Sequence, residues 1–67
     1  MKKFKERLKE LRLDKKVSQK EISKEIGLSE KTISHYESGY SEPSLDILVK
    51  LCVYFNVTAD YLLGLSD

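Results

Sequence analysis

Hydrophobic residues recur every three or four positions in five short segments, and polar residues or glycines separate these segments. In residues 3–13, Phe4, Leu8 and Leu11 fall at i, i+4 and i+7. That spacing places the three side chains on one face of an α-helix. No segment alternates convincingly between apolar and polar residues, as a β-strand would. The pattern predicts an all-α fold of five helices.

Capping signals predict where the four later helices begin and end. Each follows a serine or threonine that can accept a hydrogen bond from the first turn. These N-caps are Ser18, Ser29, Ser44 and Thr58. Glu21, three residues after Ser18, completes a capping box. Glycines end three of the helices. They are Gly27, Gly39 and Gly64.

The fourth segment has the strongest amphipathic pattern in the chain. Five residues are predicted to line its buried side: Leu45, Leu48, Leu51, Cys52 and Phe55. Cys52 is the only cysteine and His35 the only histidine, and neither has companions that would make a metal site or an activated nucleophile. We therefore expect Cys52 to be a core residue. We expect no metal, no cofactor and no enzymatic activity.

Residues 19–38 combine a helix, a tight turn at Gly27 and a second helix. This arrangement is a helix-turn-helix, which projects its second helix into the major groove of DNA. Small or apolar residues occupy the positions that must pack where the two helices meet. They are Ile22, Ser23, Ile26, Leu28, Ile33 and Tyr36. The motif therefore predicts binding to double-stranded DNA.

The whole chain resembles the phage-repressor, Cro/C1-type helix-turn-helix family, also called the XRE family. The matching stretches are residues 18–22, 27–29, 32–39, 42–45 and 60–64. Ser23 departs from the family, which usually has alanine there, and we expect its hydroxyl to bond back to its own helix. The resemblance implies a single five-helix, lambda-repressor-like domain over residues 1–67. It also implies that the third helix reads DNA.

The third helix can be projected at 100° per residue. Ser29, Ile33 and Tyr36 then fall on the side that faces the bundle. The opposite side carries hydrogen-bonding groups that base edges can pair with. The residues predicted to read bases are Glu30, Lys31, Ser34 and His35. The alternative interpretation is a polar face that is merely solvated.

Four residues beside this helix are predicted to contact phosphate. Gln19 begins the second helix, where free N–H groups and the helix dipole favour an anion, and the resemblance gives it the role of a backbone-clamping glutamine. Ser38, Tyr40 and Ser41 follow the third helix and are expected to contact phosphate on the other side. Tyr40 can alternatively be a packed loop aromatic.

Arg12 and Glu37 are predicted to form a buried ion pair between the first and third helices. Arg12 lies at the edge of the first apolar stripe, so it is half buried and needs a partner. Glu37 falls about 80° from the centre of the buried face of its helix, so it can turn inward. The family resemblance also suggests this pair.

The charge distribution is more informative than the net charge of +1. Residues 1–16 carry eight basic and three acidic residues, whereas residues 41–67 carry one basic and four acidic residues. A basic end can orient a domain on phosphates, although a lysine-rich helix can also be simply soluble. No apolar run approaches the roughly 18 residues of a membrane span. We therefore expect a cytoplasmic protein.

One short reading helix offers few base contacts, so we expect a homodimer on an inverted-repeat operator, most simply as a repressor. Leu62, Leu63 and Leu65 exceed the needs of a small core and are expected at the interface. The alternative is that Leu62 alone packs in the core and leaves Leu63 and Leu65 as ordinary exposed residues. No small-molecule ligand is expected. The alternative function is a protein-binding module, such as an antitoxin or an anti-repressor partner.

Overall fold

Five α-helices and their connections make up the fold in the computed structural model, which describes residues 3–66. The helices are α1 (Phe4–Lys15), α2 (Gln19–Ile26), α3 (Glu30–Ser38), α4 (Leu45–Phe55) and α5 (Ala59–Leu63). No strand occurs within residues 3–66, so the predicted all-α, five-helix class is confirmed. None of the helices in this part of the chain is both long enough and apolar enough to cross a bilayer.

The predicted N-caps all make their hydrogen bonds. The Ser18 hydroxyl accepts from the Glu21 backbone N–H at 3.0 Å, and the Glu21 carboxylate accepts from the Ser18 N–H at 3.4 Å, so the capping box is complete. The other three predicted N-caps accept from the backbone N–H three residues later. They are Ser29, Ser44 and Thr58. The starts of α2 to α5 are therefore fixed locally.

The first helix is longer than the pattern predicts, because it ends at Lys15 and not near residue 13. Its C-cap is Lys16, which adopts a left-handed conformation with φ of 62°. The Lys16 N–H donates to the Leu13 carbonyl and the Val17 N–H to the Arg12 carbonyl. These bonds close the last turn without a glycine, so the usual sequence signal for this end is missing.

All five helices contribute to one hydrophobic core. Its buried members are Phe4, Leu8, Ile22, Ile26, Ile33, Tyr36, Leu48, Leu51 and Leu62. The Phe4 and Tyr36 rings meet edge to face, with centroids 6.1 Å apart, which joins α1 to α3. Ser23 is also buried, and its hydroxyl donates to the Lys20 carbonyl at 2.7 Å. Its bond to its own helix is the one expected from the sequence.

Two predictions about leucines are corrected by the structure. Leu45 was expected on the buried side of α4, but it is 78% exposed, because it lies about 120° around the helix from Leu51 and outside the arc that packs on other helices. Leu62 was expected at an interface with Leu63 and Leu65, but it is fully buried in the core. Leu63 is partly buried against that core and Leu65 is exposed. The three leucines therefore do not form one exposed patch.

Cys52 lies half buried against the core, as predicted. Burial raises the pKa of its thiol. The thiol therefore stays protonated at neutral pH and is a poor nucleophile.

Arg7 fastens the last helix to the first. Its guanidinium donates to the backbone carbonyls of Tyr61 and Ser66, and it lies over the Tyr61 ring at 4.3 Å from the centroid. A helix of five residues has little stability of its own. The position of α5 therefore depends on Arg7 outside the core and on Leu62 within it.

Leu62→Ala and Leu65→Ala form a matched pair that tests whether Leu62 anchors α5 in the core. Leu62→Ala should lower the free energy of unfolding by about 2–5 kcal/mol, because it leaves a cavity in the core. Leu65→Ala should change it by less than about 0.5 kcal/mol, because Leu65 is exposed. Urea unfolding followed by circular dichroism measures both. Equal effects of the two substitutions would contradict the assignment of Leu62 to the core.

Candidate nucleic-acid interface

Helices α2 and α3 form the predicted helix-turn-helix, and the turn between them is fixed by the backbone. Gly27 adopts a left-handed conformation with φ of 86°, which an L side chain would strain. The N–H groups of Gly27 and Leu28 both donate to the Ser23 carbonyl, at 2.9 and 2.8 Å. Ile33 and Tyr36 then bury the inner side of α3. The opposite side of α3 is left at the surface.

The four predicted base-reading residues lie together on this outer side of α3, which we call the reading face. They fall within an arc of about 140° at 100° per residue. Glu30, Lys31 and Ser34 are exposed, and His35 is half buried. The structure therefore brings together one carboxylate, one ammonium, one hydroxyl and one imidazole on a single helix face. These groups include both the donors and the acceptors that base edges require.

The loop after α3 continues this face. The Tyr40 ring packs against the His35 ring, with centroids 4.6 Å apart, yet Tyr40 remains 78% exposed. The Ser38 hydroxyl donates to the His35 carbonyl at 3.1 Å and accepts from the Tyr40 N–H at 3.4 Å. The half-buried Ser41 directs its N–H to the same carbonyl. Ser38 thus shapes the loop, while the Tyr40 side chain remains largely accessible.

A buried ion pair joins α1 to α3 behind the reading face. Arg12 binds Glu37 through two bonds, from Nε to Oε2 at 2.6 Å and from Nη2 to Oε1 at 3.1 Å. The Arg12 and Glu37 side chains are only 12% and 5% exposed. A third bond, from Arg12 Nη1 to the Val17 carbonyl at 3.2 Å, ties in the loop before α2. The bonds to Glu37 raise the pKa of Arg12 although burial opposes this.

Gln19 begins α2 but does not point freely into solvent. Its amide Nε2 donates to Glu37 Oε1 at 3.1 Å, and the residue is half buried. The Glu37 carboxylate therefore accepts hydrogen bonds from both α1 and α2. One N–H of the Gln19 amide remains for another acceptor. The predicted phosphate-binding residue is thus held in one orientation by the ion pair.

A shallow cavity of about 250 Å³ opens where α1, α2 and α3 meet. Its lining includes residues predicted to read bases, residues predicted to contact phosphate and both members of the ion pair. The lining residues are Lys9, Arg12, Gln19, Ser34, Glu37 and Ser38. Lys9 was not among the residues predicted to contact DNA. Its position shows that the basic first helix borders the reading face.

Lys5 also reaches this side of the molecule and was not predicted to do so. Its side chain lies over Gly39, where an added Cβ would be 3.0 Å from the Lys5 Cδ. Lys5, Lys9 and Arg12 fall at i, i+4 and i+7, which places them on one face of α1. That spacing of cations is the sequence signal that could have identified Lys5 and Lys9.

The helix-turn-helix family model matches residues 8–62, which include all of α2, α3 and α4. The chain belongs to this helix-turn-helix family. The match covers more than half of the chain, and the resemblance to the Cro/C1-type (XRE) members is confirmed. No solved structure matches the chain significantly.

Curated relatives of this helix-turn-helix chain are named as transcriptional regulators. It is 41% identical over 61 residues to the HTH-type transcriptional regulator ImmR of Bacillus subtilis (strain 168), covering 91% of this chain and 48% of the relative. It is 42% identical over 59 residues to the regulator AnsR of the same strain, covering 88% and 51%. It is 34% identical over 61 residues to the HTH-type transcriptional activator BcrR of Enterococcus faecalis, covering 91% and 30%.

The helix-turn-helix chain thus spans about half the length of ImmR and AnsR. These names indicate regulators and not enzymes, in agreement with the expectation from the sequence. No group of three or more His, Cys, Asp or Glu side chains suited to a metal ion lies within residues 3–66.

Arg12→Met tests whether the ion pair holds the helix-turn-helix motif to α1. It leaves the buried Glu37 carboxylate without a cation, so the free energy of unfolding should fall by about 3–5 kcal/mol. Urea unfolding measures the loss. Lys9→Met is the control on the same helix, because Lys9 is exposed and not part of a buried ion pair. It should change the free energy of unfolding by less than about 0.5 kcal/mol.

The double variant Arg12→Met/Glu37→Leu distinguishes two causes of the stability loss, an unpaired buried charge and lost packing. It removes both charges and should regain most of the stability that Arg12→Met loses, because well-packed apolar pairs often replace buried ion pairs at little cost. If the double variant is as unstable as Arg12→Met, the loss comes from packing and not from the stranded carboxylate.

Proposed function

We propose that this chain binds double-stranded DNA at a chosen sequence through α3 and regulates transcription as a repressor, with two copies on one inverted-repeat operator. The observation that carries the proposal is the outer face of α3. Three of its four hydrogen-bonding side chains are exposed and His35 is half buried, while Ile33 and Tyr36 on the inner side are buried. Glu37 is tied to Arg12 and Gln19. The family and the names of the relatives support a regulator that acts on DNA.

Each residue of the reading face has a chemically suitable partner in the major groove. Lys31 can donate to guanine O6 and N7, and His35 can donate to a purine acceptor. Glu30 can accept from cytosine N4, and the Ser34 hydroxyl can donate or accept. A well-made contact of this kind is worth roughly 1–3 kcal/mol of discrimination between bases.

Phosphate contacts would hold α3 in register from two sides. On one side, Gln19 stands at the positive end of α2, and its orientation is set by Glu37. On the other side are the loop residues Ser38, Tyr40 and Ser41, of which Ser38 and Tyr40 are exposed and Ser41 is half buried. Lys5 and Lys9 add two cations from α1. Their contacts with phosphate would add to the salt-dependent part of the affinity.

The length of α3 favours two copies on one operator. Its nine residues span about 14 Å, which corresponds to about four base pairs of duplex. So few base pairs recur too often in a genome to define one site. Two copies on half-sites one helical turn apart would double the sequence that is read. Two copies bound to an operator within a promoter would block the promoter, and a repressor needs no further activity.

Selection from random duplex DNA with the purified chain tests the proposal. We expect enrichment of an inverted repeat whose half-sites lie about one helical turn apart. Binding to the selected DNA should weaken steeply as salt rises, because bound phosphates release counterions. A protein-binding module that docks through apolar contacts would not show this dependence. No enrichment even at low salt would contradict sequence-specific binding.

His35→Ala tests whether α3 reads bases. Because His35 lies outside the core and loses mainly its ring contact with Tyr40, the free energy of unfolding should fall by no more than about 1 kcal/mol, while the base preference within each half-site changes. Repeated selection measures the preference. Lys24→Ala is the control, since Lys24 is exposed on α2, about 140° around that helix from Gln19, and should select the original sequence. An unchanged preference with His35→Ala would remove His35 from the reading face.

A further inference from the structure

An apolar stripe runs along the solvent-facing side of α4. Leu45, Val49 and Val53 follow one another at intervals of one turn and are 78%, 61% and 75% exposed. The outer face of a helix in a small domain is normally polar. Single exposed hydrophobic residues are ordinary, but a contiguous row of them marks an interaction surface.

A groove beside the stripe enlarges this surface. It has a volume of about 390 Å³ and lies between α4 and the end of α2. Its walls are Glu25, Ile26, Val49, Lys50, Val53 and Tyr54. The Tyr54 ring packs against the Phe55 ring and beneath the Lys15 ammonium. The α4 surface, meaning the stripe and this groove together, is therefore formed in the single chain.

The α4 surface has no part in the proposed DNA contact. None of its residues belongs to the reading face, to the predicted phosphate contacts or to the cavity between α1, α2 and α3. Leu65, the one exposed leucine of the C-terminal group that the sequence pointed to, is not among its residues either. Binding of DNA through α3 would leave the hydrophobic row on α4 uncovered.

We propose that a second copy of this chain docks on the α4 surface, with the two α4 helices antiparallel across a two-fold axis at Val49. This inference rests on the proposed function, in which two copies share one operator. An interface of this symmetry uses the same patch on both copies. In this register, each Leu45 meets the other copy's Val53, and the two Val49 side chains meet each other.

The charges along the stripe are complementary in this arrangement. Asp46 and Lys50 are exposed and lie on the same edge of the stripe, at about 60° and 100° from Val49. The two-fold axis places Asp46 of one copy within about 3 Å of the other copy's Lys50 along the helix axis. Two pairs of opposite charge therefore lie along one edge of the apolar contact. The two Lys50 side chains come equally close along the axis, but at 100° they lie farther from the contact than Asp46 does at 60°. A parallel pair of helices would put these residues on opposite edges, where they cannot meet.

The size of the surface implies a weak dimer. A specific interface buries about 800 Å² of each partner, which would be about a fifth of this chain's 4458 Å². One face of an eleven-residue helix and its groove supply only part of that area. Two half-sites on one DNA molecule would raise the effective concentration of one copy near the other. The α4 contact would then act mainly as cooperativity on the operator.

Charge reversal tests both the occupant and the register. Sedimentation equilibrium of the whole chain should show at least a tenfold weaker dimer for Asp46→Lys and for Lys50→Asp, because each places like charges side by side. Mixing these two single variants should restore the dimer, because every Asp46 and Lys50 position then faces an opposite charge. If the mixture stays monomeric, or if neither variant weakens the dimer, the proposed pairing is wrong. A wild-type chain that remains monomeric at about 1 mM would also overturn it.

Val49→Asp and Leu65→Asp provide a matched pair for the site itself. Val49→Asp puts two carboxylates together at the axis and should abolish the dimer, whereas Leu65→Asp, at a residue 74% exposed elsewhere, should leave it unchanged. The urea midpoint of each variant confirms that it is folded. The opposite result would place the interface at the C-terminus and overturn the proposal.

DNA binding separates failure of this inference from failure of the proposed function. Val49→Asp should bind a duplex with one half-site as tightly as the wild type does, and should lose at least tenfold in affinity on the full inverted repeat. Equal affinity of both proteins for the full repeat would overturn the α4 interface and leave the proposed function standing. If the wild type binds neither duplex, the proposed function fails, and sedimentation still decides whether α4 dimerises.

Discussion

The Glu37 carboxylate is the point at which three helices are tied together by directional bonds. It belongs to α3 and accepts hydrogen bonds from Arg12 of α1 and Gln19 of α2. Apolar contacts hold α3 against the bundle, but burial alone is nearly indifferent to a small rotation of a helix about its axis. Hydrogen bonds depend on angle and distance. The outward direction of Ser34 and His35 therefore depends on a contact made on the other side of their helix.

The local features of the fold could be predicted from the sequence. An N-cap such as Ser18 makes its bond to Glu21, three residues away, so the necessary information lies within one turn. Contacts between distant segments could not be predicted in this way, apart from the Arg12–Glu37 pair, which helix projection and the family resemblance suggested. Arg7 finds its acceptors on Tyr61 and Ser66, which are 54 and 59 residues away. Leu45 fits an amphipathic pattern, but the pattern does not say which helices cover it.

The same distinction applies to the candidate site. The outer face of α3 follows from the helical period, because Ile33 and Tyr36 mark the side that must be buried. Whether Lys9 lies beside the outer face of α3 depends on where α1 crosses α3. No short sequence motif specifies that crossing. The contact between His35 and Tyr40 depends on a loop conformation set by several backbone bonds. Side chains within one helix were thus easier to assign than side chains brought together by packing.

The ion pair behind α3 affects which residues of the chain can be substituted during evolution. Because Glu37 is held from the inner side, the residues that face outward carry almost none of the folding energy. Glu30, Lys31 and Ser34 can therefore be exchanged with little risk to the fold. Under the proposed function, a duplicated gene could then acquire a new DNA target through a few codon changes. Loss of Arg12 would be far less tolerable to selection. Lineages that share this scaffold should keep its inner side while their target sequences drift apart.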